Sequence, residues 1–225
     1  MHKYTKQFVE YCLNNFDLNE SETYRYKSLS VCVIDCIYSL RTQYYSVTIP
    51  VVDRYAACYM DNDKYGEGDT LSMLLERIDS MGGPEVFAKE VLKNNQKTGN
   101  VLKASACYQT AQYLHYLHID TLEDFQSFES PELLEIVLRA VKGLGDAGVN
   151  YLFMLAGDSN RCKPDIHIHH CITDACGYDI SNDECQELFK DAVQCLRVQH
   201  PSLTVRSLDG IIWRAYQSKK NKSIR

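Results

Sequence analysis

Apolar residues recur at helical spacing along almost the whole chain, and runs of alternating β-branched residues are nearly absent, which predicts an all-α protein. The stretch from about Leu29 to Tyr44 is apolar on most sides (Val31, Val33, Ile34, Ile37, Tyr38, Leu40), as a central buried helix must be. Its polar end, Arg41-Thr42-Gln43, is expected at the surface. A second helix is expected from about Pro50 to Tyr59, followed by an exposed loop over Asp61–Asp69, with further helices near 71–79, 84–94 and 100–117. Ser130 and Pro131 are suited to the N-cap and first position of a helix whose apolar face is Leu133, Ile136, Val137, Ala140 and Val141. That helix stops at Gly143. After Gly143-Leu144-Gly145, Asp146 is placed to cap a new helix with Val149, Leu152, Phe153 and Ala156 on one face. Ser181-Asn182-Asp183-Glu184 fits a capping box ahead of Leu188, Ala192 and Leu196, and a last helix carries Leu208, Ile211, Ile212 and Ala215.

At 225 residues and 45% hydrophobic composition the chain can bury a sizeable core in one compact unit or two small lobes. No stretch reaches the roughly 18 uninterrupted apolar residues of a membrane span. The start, Met1-His2-Lys3-Tyr4-Thr5-Lys6, lacks a signal-peptide core, so a cytoplasmic protein is expected. Of the ten cysteines, Cys32, Cys36, Cys107 and Cys195 sit in apolar periodic segments, which points to free thiols used as small core residues. The formal net charge of -6 argues against indiscriminate nucleic-acid binding and leaves only local basic patches for it. Two stretches have the right sign: Lys89, Lys93, Lys97 and Lys103, and the tail Lys219-Lys220-Asn221-Lys222 ending in Arg225. Either is equally a solvated helix face or a frayed terminus.

Two glycines at alternate positions let the backbone turn tightly and approach another surface, while the N–H groups opening the next helix point outward with the positive end of its dipole. That suits a phosphate; the plain alternative is a helix C-cap and a short connection. Twenty residues beyond Gly145 stands Lys163-Pro164-Asp165-Ile166-His167-Ile168-His169-His170, a carboxylate at what reads as a helix N-terminus. Asp165 is thus a reacting group or simply a cap. The histidines beside it are raw material for a metal site, but His167 points away from the face Asp165 and His169 share, and no metal or other cofactor is expected. The Asp61–Ser72 segment has Tyr65 and Ser72 where a calcium loop needs oxygen ligands, so that reading is rejected.

From Ser130 to Gly177 the chain resembles the helix-hairpin-helix and Gly/Pro-Asp region of the endonuclease III family of DNA glycosylases. Gly143, Gly145, Asp165 and His167 fall on the family's Gly-x-Gly turn and Asp-x-His segment. Upstream, Ser39-Leu40-Arg41-Thr42-Gln43 looks like the family's helix-end element, and Lys103-Ala104 like the pair opening a later helix. Leu208-Asp209-Gly210-Ile211-Ile212-Trp213 has no counterpart in these motifs and looks like the ending of a divergent bacterial branch.

The resemblance implies two helical lobes, 1–28 with 180–225 and 29–179, the latter holding the hairpin (131–157) and the Asp segment (163–170), with duplex DNA in a cleft between them. It implies a monomer that excises a modified or mismatched base: Gly143, Leu144, Gly145, Asp146 and Gly148 anchoring a phosphate, Arg41 or Gln43 wedging the duplex, Lys103 contacting it, and Asp165 steadying the cationic transition state. Three departures shape this. Ala147 stands where bifunctional members carry a lysine nucleophile, which implies a glycosylase without Schiff-base lyase chemistry. Cys171, Cys176, Cys185 and Cys195 are separated by four, eight and nine residues, too widely for the family's iron–sulfur cluster. Arg41 replaces the usual glutamine. A non-catalytic DNA-binding protein of the same fold is the alternative, and a metal-dependent hydrolase using the histidines a more distant one.

Overall fold

The computed structural model describes residues 1–19 and 25–222, with side chains to residue 218. The side chains of the basic tail from Lys219 to Arg225 therefore lie outside the described residues. The described chain is mostly helical. In order it forms α1 (Thr5–Asn15), α2 (Leu29–Tyr38), a π-helical turn (Tyr44–Thr48), α3 (Ile49–Tyr59), α4 (Leu71–Ser80) and α5 (Pro84–Glu90). A two-stranded ribbon follows, β1 (Lys97–Thr98) antiparallel to β2 (Val101–Leu102), with Lys97 opposite Leu102. Then come α6 (Lys103–Tyr116), α7 (Leu122–Ser127), α8 (Pro131–Arg139), α9 (Gly145–Leu155), α10 (Ile166–Cys176), α11 (Asn182–Leu196) and α12 (Val205–Lys222). No described helix is long and apolar enough to cross a membrane.

The helices divide into two compact units. One, the inner unit in chain order, is Arg25–Gly157; the other, the outer unit in chain order, joins the described residues before 25 to those from Asp158 onward. The division falls earlier than the 28 and 180 expected from sequence, and it places the Asp165 segment with the chain ends. The reason is packing: α10 buries Ile168, Cys171 and Ile172 in the same core as Phe8 and Cys12 of α1, Leu188 and Phe189 of α11, and Leu208 and Ile212 of α12. Within that core the Phe8 and Phe189 rings lie 5.2 Å apart.

In the inner unit every residue of α2 is buried, so it is the central helix. Its start is capped by Ser28, whose hydroxyl accepts from Val31 N. It ends at Tyr38, six residues sooner than expected, because side chains capture the carbonyls a longer helix would use. The Ser39 hydroxyl donates to Cys36 O, and Thr42 donates to Tyr38 O. Lys103 Nζ donates to Tyr38 O and Leu40 O. Arg41 then turns the chain with a left-handed φ of 55°. On the side facing α9, the Cys36 thiol meets Gly148 O at 3.1 Å and the Cys32 thiol meets Leu155 O at 3.5 Å. All ten cysteines are free thiols; Cys195, expected in the core, is exposed, and burial pushes the Cys107 thiol far above its usual range.

The apolar α2 also carries a carboxyl group. Asp35 is fully buried and receives three phenols: Tyr26 and Tyr44 donate to Oδ2 at 2.9 and 2.8 Å, and Tyr151 donates to Oδ1 at 3.0 Å. Such a carboxylate is tolerated only because its lone pairs are occupied. Asp35→Ala is expected to lower unfolding stability by about 3 kcal/mol, since it removes the acceptor that three phenols share in the core. Urea denaturation checks this, and a loss under about 0.5 kcal/mol would mean the phenols rehydrate freely.

Candidate functional site

The hairpin belongs to the inner unit and is built by local chemistry. Ser130 caps α8, its hydroxyl accepting from Leu133 N, and Pro131 supplies the pre-set φ of a first helical position. α8 ends on Ala140, and the chain turns through Gly143 and Gly145, at φ 92° and 63°. Only glycine takes these left-handed angles without strain. Leu144 between them is buried and anchors the turn in the core.

The two glycines have different surroundings. A Cβ on Gly143 would lie 2.6 Å from Thr98 Cγ2 and 2.9 Å from Thr98 O, while the Thr98 hydroxyl donates to Gly143 O at 2.7 Å. Gly143 is therefore closed against the ribbon. Gly145 is exposed, with nothing within 4 Å of where a Cβ would stand, and it opens α9, whose N-terminus no side chain caps. Asp146, expected to be that cap, lies instead in the first turn and pairs with Arg139. Lys142 and Lys97 are exposed on the turn and on the ribbon strand that meets it.

Of the other residues expected to meet DNA, Arg41 and Gln43 are exposed on the loop after α2. Gly148 and Lys103 are corrected. Gly148 is buried, and a Cβ there would sit 2.7 Å from the Leu144 side chain, so it is a packing glycine behind the turn. Lys103 is fully buried, its ammonium spent on the α2 carbonyls, where it acts as a C-cap and reaches no phosphate. Among the remaining lysines of that stretch, Lys89 and Lys93 both face Glu90, at 3.7 and 3.6 Å.

Asp165 belongs to the outer unit. It is the N-cap of α10: Oδ1 accepts from His167 N at 2.9 Å and Ile168 N at 3.3 Å. Oδ2 has no hydrogen-bond partner among the described residues, and the side chain is half-buried. This is one oxygen fixed by backbone and one without a hydrogen bond among the described residues, next to the positive end of a helix dipole. The histidines disperse. The His167 ring meets Trp213 edge-on with centroids 6.1 Å apart. His169 lies between Asp179 Oδ1 (2.6 Å) and Asn182 Oδ1 (3.1 Å), holding the Asp179 carboxyl below its usual range, and His170 is exposed. Among the described residues no three His, Cys, Asp or Glu side chains are gathered to hold a metal ion.

Sequence reasoning missed the carboxyl group behind Asp165. Asp209 of α12 is only 5% exposed, and its Oδ1 accepts from Lys163 N at 2.8 Å. Burial first, and the charge of Asp165 second, push it up to about 8, against weaker opposition from the Lys163 N–H bond, Lys163 and Arg206. The available signal was an aspartate between Leu208 and the Ile211-Ile212 pair, a charged side chain beside an apolar helical stripe.

No curated protein and no solved structure matches the chain. A family model matches residues 6–218, nearly the whole described sequence, and on that match the chain belongs to the family described as Domain of unknown function (DUF8548).

Proposed function

We propose that this protein binds duplex DNA and excises a modified or mismatched base by hydrolysis, as a helix-hairpin-helix glycosylase without Schiff-base chemistry. The observation that carries the reading is the turn at Gly143–Gly145: a buried Leu144, a left-handed and unobstructed Gly145, and an uncapped helix behind it. Uncapped amides at a helix N-terminus with exposed cations beside them suit a phosphate. Lys142 and Lys97 would add charge beside the turn, and Arg41 or Gln43 would disturb the stack. Asp165 would be the reacting group, its Oδ2, without a hydrogen bond among the described residues, suited to steady an oxocarbenium ion or orient the attacking water. At Ala147 there is no amine, so water is the nucleophile.

A non-catalytic DNA-binding protein of the same fold has one observation in its favour: the bonds from His167 N and Ile168 N are all that a helix cap requires. The deciding experiment is a panel of duplexes, each carrying one modified or mismatched base, incubated with the full chain and resolved before and after alkali. Alkali-dependent cleavage at one base is the expected result; binding without release on every duplex selects the non-catalytic reading.

The hairpin's part is checked separately. Gly145→Val fills the open space before α9 and is expected to weaken duplex affinity about 10-fold or more at fixed salt, as measured by fluorescence anisotropy. Wild-type affinity should fall steeply as salt rises. Equal affinities of variant and wild type would reduce the turn to a helix connection.

A further inference from the structure

The Leu208–Trp213 stretch is unused by the reading above, yet it carries a group that is costly to keep. Asp209 lies in the core-facing part of α12 beside Leu208 and Ile212, both fully buried. Lys163 N–H is its one hydrogen-bond donor among the described residues. An asparagine would accept the same bond without carrying an ionisable group into an apolar core, so packing alone does not account for an aspartate there.

What it holds is the approach to Asp165. The Lys163 backbone is held at both of its polar groups: its N–H by Asp209 Oδ1 at 2.8 Å, and its carbonyl by the Asp165 N–H at 2.7 Å. Pro164 lies between them and restricts the turn further. The groups that act on Asp209 are few. From the 158–165 segment they are Asp165 and Lys163; from α12 itself, Arg206. Cys162 is the other titratable neighbour, its thiol pushed up by burial first and by Asp209 second, with Cys185 of α11 beyond it. Asp165 is therefore the negative charge that Asp209 meets most strongly.

We propose that Asp209 is a positioning residue for Asp165: its buried carboxyl group grips the Lys163 amide, fixes the turn that aims Asp165, and couples to the charge of that carboxylate. The inference rests on Asp165 being the reacting group of the glycosylase reading. In consequence burial and, after it, the Asp165 charge raise the pH at which Asp209 ionises, and that ionisation places a second negative charge against the turn. Base release then has an alkaline limit set in α12.

The test uses the full chain labelled with 13C at aspartate carboxyl carbons, titrated by NMR as wild type, Asp209→Asn and Asp165→Asn. The wild type is expected to show one carboxyl signal titrating near pH 8, absent from Asp209→Asn. In Asp165→Asn that signal should remain and its midpoint fall by about one pH unit. An unmoved midpoint overturns the coupling, and this arm needs neither activity nor a folded Asp209 variant. In parallel, single-turnover base release is followed from pH 6 to 9.5. Wild type should lose rate above pH 8, whereas Asp209→Asn should lack that alkaline limb with duplex affinity unchanged; superimposable profiles would leave Asp209 a merely structural residue and overturn the proposal. If wild type releases no base from any duplex, the glycosylase reading fails, and the titration decides the coupling by itself.

Discussion

Replacement of Asp165 by asparagine is expected to reduce base release at least ~100-fold while leaving duplex affinity within about twofold of wild type. The amide keeps the shape and remains a good N-cap, so Oδ1 can still accept from His167 N and Ile168 N and α10 should stay folded. What is lost is the negative charge of the carboxylate, which a cationic transition state uses and a bound ground state does not. Asp165→Ala is the companion variant: it should lose the same chemistry and, in addition, about 1 kcal/mol of stability from the missing cap. In the wild type, release should leave an intact abasic strand that breaks only with alkali, and borohydride should trap no adduct, because residue 147 is alanine. An Asp165→Asn protein that releases base at the wild-type rate would reduce Asp165 to a cap. Spontaneous strand cleavage with a borohydride adduct would mean that an amine elsewhere does the chemistry.

The second large effect is on stability and has the opposite sign. Asp209→Asn should make the protein more stable at neutral pH. In the folded chain Asp209 keeps its proton up to about pH 8, whereas in the unfolded chain it releases it near its ordinary 3.8. Between those values the folded state binds the extra proton, so stability falls as pH rises. The contribution is fully present below about pH 4, is lost progressively up to about pH 8, and is flat beyond. For a single buried group the loss between pH 4 and pH 7 is on the order of 4 kcal/mol. The variant cannot titrate there and should lack this slope. Asp124, Asp179 and Glu184 are held below their usual range by hydrogen bonds, and they drive acid destabilisation in both proteins alike. The difference between the two proteins therefore isolates residue 209. Urea unfolding at pH 5 and pH 8 measures it, and parallel slopes would show that Asp209 ionises as an ordinary surface carboxylate. A residue that costs stability at neutral pH beside a candidate reacting carboxylate is the pattern of a working site.

The mainly helical class, the caps at Ser130 and Ser181 and the glycine turn were legible in the sequence because their causes are local, whereas the cap expected of Asp146 is lost to its pairing with Arg139. Ser130 bonds three residues ahead, and the Ser181–Glu184 capping box closes within a single helical turn. Gly143 and Gly145 are required by backbone angles that any environment would impose. Asp165 could be placed at a helix start for the same reason. What escaped the sequence depends on partners far along the chain. Lys103 read as a surface lysine, and became a buried cap because the end of α2, 65 residues earlier, presents its carbonyls there. α2 stopped short for that same reason. The ribbon at 97–102 interrupts a helical pattern because Thr98 meets Gly143, 45 residues on. Asp35 and Asp209 stand in apolar helices, and their meaning depends on distant partners: Tyr151, 116 residues from Asp35, beside the nearer Tyr26 and Tyr44, and Lys163, 46 residues from Asp209. Periodicity and capping are short-range and are written in neighbouring residues; the burial of a charge is decided by who desolvates it and who bonds it, and only the tertiary structure brings those residues together.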